Sequence, residues 1–187
     1  MLKVAIISCG MITNNAHIPA YKAFPEKYEI VAVCDVVEAA AKSTAEKHGI
    51  PHYYTDAEEM LKTEKPDVVS VCVPNLLHKK FTMLALSYGA NVLCEKPAAK
   101  TLAEVQQMQK IAHETGKILN IGVVNRFNGA VNKIRSIISE GILGDVYHIY
   151  ISFRAPRSIP GLGGMFTTKE ISGGGVLIDW GVHFLDL

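Results

Sequence analysis

An aspartate and a histidine stand four residues apart in the segment 173–187, which has the spacing of an apolar helix. Asp179 and His183 would share one face of that helix, and the carboxylate could steady the imidazole. Histidine titrates near neutral pH and can act as a general base. Two other interpretations stay open. The pair could be half of a metal site, although no third ligand stands at a suitable spacing, or a plain ion pair within the helix.

A lysine occurs in the sequence Glu95-Lys96-Pro97, directly after an apolar run that predicts a strand. An ammonium group at a strand end can donate a hydrogen bond to a reacting oxygen and so favour ionisation of a hydroxyl. The ordinary alternative is a lysine that is only exposed to solvent. Pro97 is a candidate for a cis peptide bond, which would fix the turn.

A turn that could hold phosphate groups follows the first predicted strand. A dinucleotide-binding turn requires glycine at two marked positions and a small residue at a third. This chain has Ser8, Gly10 and Thr13 there, and only Gly10 fits fully. The turn also contains Met11 and Ile12, and the amides at the start of the following helix would face the phosphates. An ordinary strand-to-helix turn is the alternative.

Asp35 ends the second predicted strand, where an acidic residue that binds ribose is expected. A carboxylate there accepts a hydrogen bond from an adenosine 2′-hydroxyl and repels a 2′-phosphate. Val36 and Val37 come next, so no arginine follows directly to receive such a phosphate. The pattern favours NAD over NADP. The alternative role of Asp35 is to cap the helix that follows.

Strand-like and helix-like segments alternate over most of the chain. Continuous apolar runs are typical of parallel strands that are covered on both faces. Right-handed crossovers between such strands predict an α/β fold with a parallel, doubly wound sheet. The predicted strands are 3–8, 29–34, 52–54, 67–73, 91–94 and 118–124, and the main predicted helices between them are 13–24, 37–48, 76–88 and 102–115.

The pattern changes after about Asn125, which predicts a domain boundary between 1–122 and 123–187. The second part predicts a helix, a half-exposed strand of alternating polar and apolar residues, a loop and an apolar helix. One strand and two helices do not complete a domain, so we expect a fragment of a longer chain; a natural short form is the alternative. The four predicted segments are 128–140, 145–154, 155–172 and 173–187.

The composition excludes several classes of protein. With 187 residues, 49% of them hydrophobic, and a net charge of +1, the chain is unlike disordered, collagen-like or coiled-coil sequences. Its one dibasic pair, Lys79-Lys80, predicts neither a nucleic-acid partner nor an anionic membrane surface. No apolar run reaches the roughly 18 residues of a membrane span. Four widely spaced cysteines predict buried, reduced thiols and a cytoplasmic location: Cys9, Cys34, Cys72 and Cys94.

Three motifs in order resemble the Gfo/Idh/MocA family of oxidoreductases, and the resemblance covers the whole chain. The departure from the family pattern is the turn after the first strand, where Ser8 and Thr13 replace glycine-type positions. The resemblance implies a Rossmann domain followed by an α/β open-sheet domain that binds substrate and mediates homo-oligomer formation. The motifs are Val71-Cys72-Val73-Pro74-Asn75 with His78, Cys94-Glu95-Lys96-Pro97, and Gly173-Gly174-Gly175 followed by Asp179 and His183.

By that resemblance Lys96, Asp179 and His183 are catalytic and, with Arg126, bind substrate. His78 would contact the cofactor, and an equal alternative is a histidine that only begins a helix. For Arg126, the equal alternative to binding substrate is a hydrogen bond that links the two domains. No metal is implied. The implied cofactor is NAD, with NADP less favoured, and its contacts would be Ser8, Gly10, Met11, Ile12, Asp35, Pro74, Asn75, His78, Glu95 and Lys96. The other histidines are interpreted as surface or packing residues: His17, His48, His52, His113 and His148.

The implied reaction is hydride transfer between nicotinamide and a secondary alcohol or ketone of a sugar, cyclitol or related polyol. His183 would be the acid-base group, and Lys96 would polarise the oxygen. The alternatives are an NAD-dependent glycoside hydrolase and a non-catalytic NAD-binding sugar sensor, and the intact set of three residues weighs against the sensor. Specificity would depend on the loop 154–168. We expect the 187-residue chain by itself to bind NAD weakly or not at all and to be catalytically poor.

Overall fold

The computed structural model describes residues 1–154 and 168–187. They form two compact units, Met1–Gly122 and Val123–Leu187. The predicted loop at 155–172 and the predicted specificity loop at 154–168 overlap, and most of both lies outside the described residues. Within the described residues, no helix combines the length and the apolar character that crossing a bilayer requires.

A six-stranded parallel sheet forms the centre of the first unit, as the sequence predicts. In chain order the strands are β1 (Leu2–Ile7), β2 (Tyr28–Cys34), β3 (His52–Tyr54), β4 (Val68–Val71), β5 (Asn91–Cys94) and β6 (Leu119–Ile121). Their spatial order is β3-β2-β1-β4-β5-β6, so the direction of winding reverses between β1 and β4. Parallel strands are joined by crossover helices, and the doubly wound α/β fold is confirmed.

The helices cover both faces of this sheet because successive residues of each strand point to opposite sides. The helices are α1 (Ile18–Lys22), α2 (Glu38–His48), α3 (Ala57–Glu64), α4 (His78–Ser87) and α5 (Leu102–Thr115); a π-helical turn, Thr13–His17, runs directly into α1. In β1, Val4 and Ile6 pack with residues of α1 and α2. Ala5 and Ile7 lie in the other cluster, with residues of α3, α4 and α5.

The four cysteines are buried and free, as the sequence predicts. Burial, which removes the thiolate from water, raises the pKa of Cys9 to about 11 and the pKa of Cys34 to about 12. Thiols with such pKa values are protonated at neutral pH and are poor nucleophiles. The cysteines therefore belong to the core of the sheet.

The second unit contains short helices. The longest helix among its described residues, α6 (Gly129–Ser139), begins where the Asn128 side chain accepts hydrogen bonds from the amides of Ala130 and Val131. Next come α7 (Lys169–Ser172) and a π-helical turn (Leu177–Gly181) that continues into α8 (Val182–Leu185). The helical run begins at Val176, directly after the three glycines, as predicted, and Gly173 takes a left-handed φ of +86° that ends α7.

The predicted half-exposed strand at 145–154 is wrong. These residues have no regular secondary structure, and all of them are exposed. A β-strand is stabilised when a neighbouring strand pairs with its amides and carbonyls. In the part of the chain that the structure describes, no strand pairs with this segment. The alternation of polar and apolar residues therefore produced a false prediction.

Ser8 adopts a backbone conformation that glycine takes more readily than any other residue. Its φ is +85°, in the left-handed region where a side chain costs about 1–2 kcal/mol. The position is held on both sides, because the Ser8 amide donates to the Cys34 carbonyl at 2.7 Å and the Ser8 carbonyl accepts from the Thr13 hydroxyl at 2.7 Å. Main-chain contacts thus keep the serine in this conformation.

We predict that Ser8→Gly raises the free energy of unfolding by about 0.5–1 kcal/mol. Relief of the left-handed serine outweighs the extra freedom that glycine gives the unfolded chain. Urea titration measures the change. The matched control is Ser43→Gly at an exposed site inside α2. This variant should have a free energy of unfolding about 0.5 kcal/mol lower than wild type, because glycine is a poorer helix former than serine. If Ser8→Gly also lowered the free energy of unfolding, Ser8 would not be strained.

Candidate functional site

The carboxyl ends of the strands bring the predicted residues of the first unit to one edge of the sheet. Ile7 is in register with Cys34 on one side and with Val71 on the other, and Val71 is in register with Cys94. The residues that follow these strand ends include Ser8, Asp35 and Glu95. In doubly wound folds, this edge is where ligands bind, next to the point at which the winding reverses.

The turn after β1 is open to a ligand. A Cβ atom added at Gly10 would meet only the Ser8 hydroxyl, at 3.8 Å. Met11 and Ile12, which follow, are exposed. Backbone amides in such a turn can approach a phosphate closely because no side chain stands between them. The geometry of the turn is therefore compatible with a dinucleotide.

Asp35 is fixed by hydrogen bonds to both of its carboxylate oxygens. Its Oδ2 accepts from the Cys9 amide at 2.8 Å, and its Oδ1 accepts from the Val37 amide at 3.0 Å. The second bond lies just before α2, whose N-cap residue is Val37, so Asp35 contacts both the turn after β1 and the segment that leads into the helix. Each oxygen of a carboxylate has a second lone pair, and these can accept from a ribose hydroxyl.

Asn14 holds the same turn from its other side, and the sequence analysis missed it. The side-chain amide donates to the carbonyls of Cys9 at 2.9 Å and Gly10 at 3.0 Å. The Asn14 carbonyl oxygen accepts from His48 Nε2 at 2.9 Å. Burial, with the positive charges of Lys47 and Lys22, lowers the pKa of His48. The contact from α2 was not visible in the sequence because 34 residues separate its partners.

The Glu95-Lys96-Pro97 turn follows β5. The peptide bond between Lys96 and Pro97 is cis, as predicted. Lys96 is half-buried, and its amide donates to Glu95 Oε2 at 3.2 Å. This hydrogen bond ties the Glu95 side chain to the main chain at Lys96.

Glu95 is a nearly buried carboxylate with defined partners. Its Oε1 accepts from His17 Nε2 at 2.9 Å. Burial by itself raises the pKa of Glu95, but the contacts with His17 and with Lys96 outweigh burial and lower the pKa below its ordinary value. Gly122, the residue after β6, lies against this carboxylate, because a Cβ atom there would be 3.3 Å from Oε1. Neither His17 nor Gly122 was singled out from the sequence as a partner of Glu95.

His78 lies beneath the same edge and is 1% exposed. Its Nδ1 is 2.6 Å from the Pro97 carbonyl and its Nε2 is 2.8 Å from the Val73 carbonyl. Burial lowers the pKa of His78, while the two carbonyls act in the opposite direction. The ring joins the segment after β4 to the turn after β5. A direct contact with cofactor stays a prediction; in this structure both ring nitrogens face the main chain.

The second unit places Asp179 and His183 in one continuous helical segment, Asp179 in the π-helical turn and His183 in α8. Turns of this kind are frequent at functional sites. The His183 carbonyl accepts from the Asn125 side chain at 3.2 Å, and the Trp180 ring lies 5.8 Å from the His183 ring. The helix that carries the two predicted catalytic residues is thus anchored within its own unit.

Arg126 forms a two-pronged ion pair with Asp186, with both nitrogen–oxygen distances at 2.6 Å. The hydrogen bond to Arg126 lowers the pKa of Asp186. A role of Arg126 in binding substrate stays a prediction, and its guanidinium has a carboxylate partner in this structure. Among the described residues, no group of three or more histidine, cysteine, aspartate or glutamate side chains is placed to hold a metal ion.

We predict that Gly122→Ala lowers the free energy of unfolding by about 1–2 kcal/mol, because the new methyl group crowds the Glu95 carboxylate between β5 and β6. The matched control is Gly10→Ala, whose methyl group would meet only a hydroxyl at 3.8 Å. Both changes are measured by thermal unfolding without ligand. Equal stability of the two variants would contradict the close packing of Glu95 against position 122.

Known families match both parts of the chain. A family model described as "Oxidoreductase family, NAD-binding Rossmann fold" matches residues 2–123. A second model, described as "GFO/IDH/MocA C-terminal domain", matches residues 131–187.

Similar proteins are dehydrogenases and NAD-binding proteins. The chain is 41% identical to D-glucoside 3-dehydrogenase of Escherichia coli over 187 residues, which is 99% of this chain and 52% of that protein. It resembles an NAD-binding protein from Listeria innocua with a TM-score of 0.86 and 26% identity, over 99% of this chain and 53% of that one. It also resembles the WlbA dehydrogenase from Bordetella pertussis, solved with NADH and UDP-GlcNAcA, with a TM-score of 0.75 and 25% identity, over 78% and 44% of the two chains. The chain therefore spans about half the length of these relatives.

Proposed function

Because the chain belongs to the Gfo/Idh/MocA family of oxidoreductases, we propose that it contributes the cofactor site and part of the substrate site of an NAD-dependent dehydrogenase. The observation that carries this proposal is the shared edge of the sheet, where the open turn at Gly10, the fixed Asp35 carboxylate and the half-buried Lys96 meet. The substrate would be a secondary alcohol or ketone of a sugar, cyclitol or related polyol. The name of the E. coli relative, D-glucoside 3-dehydrogenase, favours a glycoside hydroxyl.

The residues of the first unit fit a bound dinucleotide. The pyrophosphate would approach the amides of the turn that contains Ser8, Gly10, Met11 and Ile12, and the adenosine ribose would bind Asp35. Pro74, Asn75 and Glu95 follow the next strands and would line the nicotinamide end. When bound, NAD supplies a carbon that accepts or returns hydride.

The proposed roles of the catalytic residues follow from the chemistry of alcohol oxidation. His183 takes the hydroxyl proton as hydride leaves the same carbon, and Asp179 steadies the imidazole or binds a neighbouring hydroxyl. Lys96 donates a hydrogen bond to the oxygen on which negative charge develops. The E. coli relative is named a dehydrogenase, so the hydrolase and sensor alternatives gain no support from it.

We predict that Lys96→Met lowers turnover of the full-length protein with sugar or cyclitol substrates by about 100-fold or more, because a donor aimed at developing charge is lost. The affinity for NAD should stay within about threefold, since the turn at Gly10 and Asp35 is unchanged. Turnover is followed at the nicotinamide absorbance, and binding by titration. The control Lys110→Met removes a lysine that is exposed on α5. Wild-type turnover of Lys96→Met would reject the role of this lysine.

We predict that Asp35→Asn lowers the preference for NADH over NADPH about tenfold, because the charge that repels a 2′-phosphate is removed. The ratio of the two dissociation constants, measured by fluorescence titration, is the readout. The control Asp56→Asn makes the same change at the start of α3, where the carboxylate accepts from the Glu59 amide. An unchanged ratio in Asp35→Asn would mean that position 35 does not set the choice of cofactor.

A further inference from the structure

A line of four hydrogen-bonded side chains leads to the Glu95-Lys96-Pro97 turn from below the sheet edge. Tyr21 Oη lies 2.8 Å from Ser70 Oγ, and Ser70 Oγ lies 3.2 Å from His17 Nδ1. His17 Nε2 lies 2.9 Å from Glu95 Oε1. The two inner members are buried, with Ser70 0% and His17 8% exposed, and the Glu95 side chain at the end of the line is 16% exposed. Polar groups at this depth are stable only when each is hydrogen-bonded.

The carboxylate at one end of this line fixes the direction of its hydrogen bond with His17. An ionised carboxylate accepts hydrogen bonds and cannot donate them. Glu95 Oε2 already accepts from the Lys96 amide, and Oε1 must therefore accept from a protonated His17 Nε2. At the other end, the Tyr21 and Ser70 hydroxyls share a hydrogen bond, and Ser70 Oγ holds the Nδ1 side of the His17 ring.

We propose that His17 is a positioning residue: its Nε2–H group fixes the Glu95 carboxylate and, through it, the main chain that presents Lys96. The proposal rests on the proposed function, because Lys96 matters only if it touches the reacting oxygen. Glu95 has little freedom otherwise, since Gly122 bounds the carboxylate on another side. Loss of the His17 contact would leave one buried carboxylate oxygen without its donor, and the Glu95-Lys96 segment would shift to regain one.

The test compares two substitutions in the full-length protein. His17→Gln places an amide nitrogen near the position of Nε2, whereas the shorter side chain of His17→Asn ends near the position of Nδ1. We expect His17→Asn to lower kcat about 100-fold, the effect of a misplacement of about 1 Å. The dissociation constant for NAD should stay within about threefold. His17→Gln should restore kcat to within about tenfold of wild type.

A purely structural role would give a different result, because both substitutions would then lower stability without separating kcat from cofactor affinity. The control His113→Asn changes an exposed histidine on α5 and should leave kcat unchanged. Wild-type kcat in His17→Asn, or equally low kcat in the asparagine and glutamine variants, would overturn the proposal.

A second measurement on the unaltered protein does not require any variant to fold. Nitrogen-15 NMR of the histidine side chains should show His17 with a proton on Nε2. A proton on Nδ1 alone would overturn the proposed arrangement. This readout is independent of activity. If Lys96→Met leaves turnover unchanged, the proposed function fails while the NMR result still decides the protonation of His17.

Discussion

The alignment of the parallel strands is the constraint on which the candidate site of the first unit depends. Ile7, Cys34, Val71 and Cys94 pair across four adjacent strands at the same level of the sheet. The two faces of the sheet pack against different helices, so a shift of one residue would exchange the two sets of apolar side chains and disrupt both clusters. The alignment is therefore strongly specified. The polar residues that follow these four strand ends therefore meet at one edge, although up to 87 positions separate them in the sequence.

A buried carboxylate sets the second constraint, because Glu95 is stable at the sheet edge only where donors surround it. His17 and the Lys96 amide supply those donors, while His78 bridges the neighbouring carbonyls of Val73 and Pro97. The turn after β5 is thus held from two directions by buried imidazoles. A rigid support of this kind would keep the main chain at Lys96, the proposed catalytic residue, in place.

The sequence allowed the doubly wound sheet and the residues at strand ends to be predicted, because continuous apolar runs and local motifs are properties of neighbouring residues. The contact of His17 with Glu95 spans 78 positions, and it depends on the π-helical turn that sets where His17 points. No local pattern carries that information. The wrong prediction of a strand at 145–154 has a related cause. Alternating polarity indicates one exposed and one buried face, but a strand also requires a neighbouring strand to pair with. The sequence pattern contains no information about that neighbour.

The departure of the turn after β1 from the glycine pattern has a physical explanation in the same long-range contacts. Glycine at the first position would adopt a positive φ without strain, whereas Ser8 does so under restraint by Cys34 and Thr13. Thr13 is fully buried, so its hydroxyl needs a partner, and the Ser8 carbonyl provides one. Asn14 then ties the next two carbonyls. Side-chain hydrogen bonds therefore hold the turn in a shape that glycine residues would adopt without them. An open backbone is still required at Gly10, because a phosphate would approach there.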